Sequence, residues 1–227
     1  MISISTRELA SLPDVDRLRA VLRSMAMLDA IRSPEWDYRY YSFNAAWSPD
    51  EQLGSMRNGS GDEFFTLFNP AGCWLKGFAH EAPMTPYRED GSRGIWPGVL
   101  DEVPREFAGC LTEPAFAVGD TTFCIWRRYG DASWQRGRIA FPSGHEDPDG
   151  SEDLLSPLDG EPETYRAWAE DYFERQVNLA AVEHVYGHRP LTAEFIFLLN
   201  PEVTLADLQA DITEIGYPAD GRLNREP

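Results

Sequence analysis

His184 and His188, in the run His-Val-Tyr-Gly-His, are spaced i, i+4, and two imidazoles at that spacing on one helix face can share a metal ion. The pair lacks the glutamate of the H-E-x-x-H pattern, so it does not predict metalloprotease chemistry. Gly187 predicts that the helix is ending there, and an imidazole at a helix C-terminus is explained by the macrodipole alone. The two histidines are the weak metal candidates of a chain for which no cofactor is otherwise expected.

Cys73 and His80 are a thiol and an imidazole of the kind that nucleophilic catalysis pairs. Their separation of seven is odd, so on one regular strand they point to opposite faces. His80-Glu81, followed by Pro83, reads instead as a strand ending at a pocket, where Glu81 can serve as base or ligand. The candidate pocket lies under the Pro- and Gly-rich segment 81–98, with His80, Glu81 and Arg127 as polar groups and Trp96 and Trp126 as walls.

Asp147-Pro148-Asp149-Gly150-Ser151-Glu152-Asp153 has the alternating carboxylates and glycine of a calcium loop, but it lacks the closing bidentate glutamate. A solvated acidic loop is the expectation. Gly59-Ser60-Gly61 leads into Asp62 and Glu63 rather than Lys-Ser/Thr, so it is a turn and no phosphate cradle. Neither G-x-S-x-G nor a dinucleotide fingerprint occurs.

The charge is one-sided. Of the formal −18, residues 146–227 carry −14, from 19 acids against 5 arginines, and residues 146–163 hold eight acids and no base. Such a field disfavours nucleic acid and anionic membrane and attracts basic proteins. Stacking platforms for bases sit in basic grooves. The 15 basic residues before position 146 are offset by 19 acids, so the Trp and Tyr there are read as core. Trp96 and Trp134, among polar and turn residues, are expected at the surface.

Cys73, Cys110 and Cys124 are widely spaced with no C-x-x-C, which predicts buried, reduced thiols. No apolar run reaches the roughly 18 residues that span a bilayer, and no secretory signal is read at the start, so a cytoplasmic protein is expected. Nineteen arginines against the single Lys76 suggest a GC-rich bacterial genome.

The elements that must position these groups follow from periodicity. Asp14 and the spacing of Leu18, Val21, Leu22, Met25 and Leu28 predict a first helix ending before Pro34. A period of two follows, with Tyr38 and Tyr40 in a strand. Runs 64–68 and 73–78 form a hairpin across Asn69-Pro70-Ala71-Gly72. A short helix is read at 99–110, a strand at 121–128, and its partner at 134–141. Beyond the acidic loop 142–163, a long helix over 162–186, a strand at 193–199 and a helix from Thr204 to Gly216 are predicted. Strands grouped before helices argue for an α+β class, an antiparallel sheet packed by an N-terminal and two C-terminal helices in one domain.

Function is then expected in one of two classes. The first is a non-enzymatic protein that binds a basic protein partner through Glu146, Asp147, Asp149, Glu152 and Asp153, with Trp96 and Trp134 as aromatic anchors. Immunity proteins of polymorphic toxin systems resemble this chain in composition and in α+β class, which implies a bacterial immunity or antitoxin role. The second is an enzyme or small-molecule binder using the pocket under segment 81–98.

Overall fold

The computed structural model describes residues 3–88 and 91–218; positions 89 and 90 of the segment 81–98 lie outside it, as do Asp220, Arg222, Arg225 and Glu226 of the charge tally. The fold is α+β. Helix α1 (Val15–Arg32) precedes six strands, β1 (Tyr41–Ser48), β2 (Glu51–Arg57), β3 (Glu63–Asn69), β4 (Gly72–Phe78), β5 (Phe123–Arg128) and β6 (Gln135–Arg136). They form one antiparallel sheet in sequence order. Helices α2 (Ser151–Leu155), α3 (Pro162–Phe173), α4 (Leu179–Tyr186), α5 (Ala193–Leu199) and α6 (Gln209–Ile215) follow.

The expected hairpin pairs Phe64 with Gly77 and Phe68 with Cys73, and it turns at Gly72. A side chain there is impossible: φ is +148°, and a Cβ would lie 2.2 Å from the Arg127 carbonyl oxygen. β3, β4 and β5 read as near-continuous apolar runs because both faces of the sheet are covered. On one face Phe64, Phe68, Cys73, Leu75, Phe123 and Ile125 join the core with α1 and the C-terminal helices. On the other, Phe65, Leu67, Trp74, Cys124 and Trp126 meet Met84, Val99, Phe107, Cys110 and Phe116 from the long β4–β5 connection. Full burial of such side chains is worth about 1.5–3 kcal/mol each.

Asp14 caps α1, accepting the Arg17 N–H at 2.9 Å. Within α1, the fully buried Asp29 accepts the Tyr40 and Tyr41 amides at 2.9 and 2.8 Å and the Tyr165 hydroxyl at 3.0 Å. One carboxylate thus joins α1 to the entry of β1 and to α3. Burial pushes its acid up to about 6, against the opposing pull of those hydrogen bonds. Lys76, the only lysine, is also fully buried; it donates to Glu63 at 3.1 Å and to the Asp120 carbonyl at 2.7 Å.

Several expectations need correction. Residues 193–199 are helix: Thr192 accepts the Phe195 N–H, and Ile196 and Leu199, three apart, face the core while Phe197 and Leu198 stay exposed. An unbroken apolar run has no period by which to separate the two forms. The helix over 162–186 is two helices, because Glu174 adopts left-handed φ (+51°), Val177 is buried, and Asn178 caps α4 through the Ala181 N–H. Residues 36–38 are a 3-10 turn rather than strand, and the segment after Pro104 is a 3-10 helix over 105–111. The partner of β5 shortens to Gln135–Arg136. The segment 142–163 is no free surface loop, since Leu154, Leu155 and Leu158 are buried and α2 lies within it.

All three cysteines are free and buried, and burial raises each thiol well above its ordinary range. No helix among the described residues is long and apolar enough to cross a membrane.

Candidate functional site: an acidic cleft around His80

The turn between β2 and β3 builds one wall of the cleft. The Asn58 side-chain carbonyl accepts the Ser60 and Asp62 amides at 2.8 and 3.0 Å, and its amide donates to Asp62 Oδ2 at 2.7 Å. Asp62 Oδ1 in turn receives the His80 backbone N–H at 2.8 Å and the ring Nδ1 at 2.7 Å. A carboxylate can only accept, so Nδ1 carries the proton and Nε2 is left for other partners. Glu81 Oε1 stands 3.7 Å from it. Gly61, at φ +120°, lies under this ring, where a Cβ would come within 3.1 Å of it.

Electrostatics within the pair are mutual. The hydrogen bond that its ring donates to Asp62 raises His80 above the usual imidazole value. Partial burial works to raise Asp62, but the His80 and Asn58 hydrogen bonds outweigh it and hold the carboxyl below its usual range.

The other wall is the segment 147–154. The Met84 N–H donates to the Pro148 carbonyl at 2.9 Å, and a Cβ on Gly150, at φ +69°, would sit 2.2 Å from that of Ala79. Glycine therefore lets the acidic segment close against the end of β4. The result is a cleft of about 280 Å3 whose lining includes Asp62, His80, Glu81, Asp147 and Asp153, with no arginine or lysine. Burial pushes the Asp147 acid up to about 6, opposed by the Glu152 amide and reinforced by the neighbouring Asp149.

The cleft thus joins residues from both sequence-derived sets, His80 and Glu81 from one and Asp147 and Asp153 from the other. Other members fall elsewhere. Asp149 is buried and accepts the Thr6 hydroxyl at 2.5 Å and the Ser151 hydroxyl at 2.6 Å, so it ties the N-terminal segment down and has no surface to offer a partner. Glu152 is half-buried in the first turn of α2, and the exposed Glu146 has its backbone carbonyl held by Arg7 at 2.8 Å. Trp134 is buried, its indole donating to the Pro13 carbonyl at 2.7 Å, which corrects its expected exposure. Trp96 is half-buried and donates to the Ala140 carbonyl at 3.0 Å.

The pocket expected under segment 81–98 does not assemble from its five residues. Met84 and Val99 are fully buried in the core on that side of the sheet, and Trp126 lines a separate open cleft of about 910 Å3 beside Arg128 and Asp131. Arg127 donates to the carbonyls of Asp131 and Ala132. The two C-terminal imidazoles also part company. His184 bonds the Pro190 carbonyl at 2.9 Å and stacks on Phe195; His188 lies past the helix end at φ +49° and bonds the Ala20 carbonyl at 3.0 Å. Among the described residues, no group of three or more His, Cys, Asp or Glu is arranged to hold a metal ion.

Asp62 was missed by sequence reasoning. Its signal was present in Asn58-x-x-x-Asp62, a spacing at which an Asn side chain can organise a turn and present the second residue's carboxylate. Comparison with protein-family models, curated proteins and solved structures finds no match to this chain.

Proposed function

We propose that the protein is a non-enzymatic acidic interaction protein that binds a basic protein partner, in the manner of bacterial immunity or antitoxin proteins. It would receive a lysine or arginine of that partner in the cleft around His80. The observation that carries this reading is the composition of the lining: four carboxylates and one imidazole with no arginine or lysine, assembled from three separate stretches of chain. Opposed fields speed encounter and fix register at such an interface.

The pH dependence has a definite sign. As pH falls from 7 toward 5, Asp147, pushed up to about 6, gains a proton, and His80, raised above the usual imidazole value by its hydrogen bond to Asp62, gains one more readily than a free imidazole. Both changes reduce the negative charge of the cleft, so affinity for a basic partner should fall from pH 7 to pH 5.

The test is recovery of partners from a host-cell lysate at low salt, then titration of an identified partner against wild type and the Glu81→Gln/Asp153→Asn variant. Roughly tenfold weaker binding by the variant, and loss of affinity with added salt, are expected. A recovered partner that is indifferent to salt and to the variant, or no basic partner at all, ends this reading.

The carboxylate-held imidazole favours a second reading, an enzyme or small-molecule binder using the cleft where segment 81–98 begins. Asp62 fixes the ring so that Nε2 can accept a proton. Thermal stabilisation by small cationic metabolites that is lost in His80→Gln, with no protein partner recovered, would favour it over the first.

A further inference from the structure

The connection between β4 and β5 covers β3 to β5 on its face of the sheet and leaves the same face of β1 and β2 partly open. Position by position the uncovered residues are polar: Ser42 pairs with Ser55 across the strands, Asn44 lies opposite Leu53, and Arg57 lies on that face beside Glu63. Two adjoining cavities of about 200 Å3 each occupy this ledge, and Trp36, Ser42, Ser55 and Arg57 line both. Trp36 is 54 % exposed and Trp47, at the far cavity's edge, is 37 % exposed and stacked on Phe116.

Large aromatic side chains left open beside cavities with a few polar groups are the usual composition of a small-molecule site. The polar groups here have spare hydrogen-bonding capacity. The Ser42 and Ser55 hydroxyls bond each other at 2.8 Å, and the Asn44 side-chain carbonyl is used by the Ala46 N–H, which leaves its amide hydrogens. The Arg57 guanidinium lies over the Phe65 ring and reaches Glu63 only at 3.6 Å through Nε. At the two ends stand carboxylates, Glu214 in one cavity and Asp37 in the other.

We infer that this ledge is a binding site for a neutral saccharide of two rings. An aromatic face is negative and favours the slightly positive C–H groups of a sugar ring. Hydroxyls both donate and accept, and so suit a rim that mixes amide and guanidinium donors with carboxylate acceptors. A flat anion would meet Asp37, Glu214 and a chain of net charge −18, while the two guanidiniums of the lining are already engaged, Arg57 beside Glu63 and Arg39 with Asp211. The two cavities meeting at Trp36 set the length at two rings. This inference is independent of the acidic cleft, which shares none of these residues.

The experiment is calorimetric titration and ligand-detected NMR of the full chain with cellobiose, maltose and N,N′-diacetylchitobiose, with benzoate as the anionic comparison. At least one disaccharide should bind at millimolar concentration. Trp36→Ala should weaken that binding at least roughly tenfold with unchanged circular dichroism, since the ring is exposed. Arg57→Gln should weaken it less, and Glu81→Gln/Asp153→Asn should leave it unchanged. If no disaccharide binds, if binding survives Trp36→Ala, or if only benzoate binds, the inference is overturned.

Discussion

The two faces of the sheet are covered by different means. One carries helices, with α1 laid on β1 and β2 and α4, α5 and α6 packed around it. The other carries a connection of 3-10 turns and loops, with Phe107, Cys110 and Phe116 plugged into the sheet at intervals. A helix satisfies its own backbone and can seal a face with a regular stripe of side chains. Irregular chain must find partners one group at a time, and it covers less completely. The open cleft of Trp126 and the aromatic ledge of β1 and β2 both lie on the loop-covered side, and the acidic cleft lies where that connection leaves β4.

If the helical side is the cooperative one, Phe64→Ala should cost about 3–5 kcal/mol in urea denaturation and loosen the whole fold. Phe116→Ala, from the loop layer, should cost about 3 kcal/mol and selectively strip hydrogen-exchange protection from residues 99–118. Equal loss of protection in α1 would erase the distinction between the faces.

Asp29 sharpens the comparison from within the helical side. Its value is raised to about 6 when folded, so its contribution is complete below the ordinary carboxylate range and is lost as pH rises through 6. Asp29→Asn keeps an acceptor for the two amides and should flatten the stability profile between pH 4 and 6. Asp29→Ala leaves those amides bare and should cost about 2–3 kcal/mol at pH 7. Chemical denaturation across that pH range reads both, and an unchanged profile in the asparagine variant would contradict the assignment.

Gly150→Ala probes the seam between acidic segment and sheet. The left-handed backbone alone costs about 1–2 kcal/mol, and the clash with Ala79 adds to it, so the variant should melt lower and, on the proposed function, lose partner binding together with stability. The smallest effect is expected for Trp36→Ala, within about 0.5 kcal/mol of wild type because the ring is mostly solvated. A large loss there would mean that the ledge is part of the core rather than a site.

How much of this was legible in the sequence follows the same division. α1, the 64–78 hairpin, β5 and the stop at Gly216 were readable because caps, turn residues and periodicity agree locally. Residues 193–199 and the break at Glu174 were not, since an all-apolar run and an unassisted left-handed glutamate carry no local signal. Of the acidic cleft, His80, Glu81, Asp147 and Asp153 could be named one by one, while their meeting depended on Gly150 and on a long-range bond from Met84 to Pro148. The ledge was hidden because polar residues at alternate positions of β1 and β2 look the same whether they face bulk water or a cavity.

The burial of Lys76 has a practical consequence. With the only lysine sealed under Asp120 and Glu63, the described surface offers no lysine amine to acylating dyes, amine-directed cross-linkers or lysine-specific proteases. Cross-linking of the proposed basic partner should therefore activate this protein's carboxylates and let the partner's lysines supply the amines, so that a bridge to a lysine side chain reports which side of the complex contributed which group.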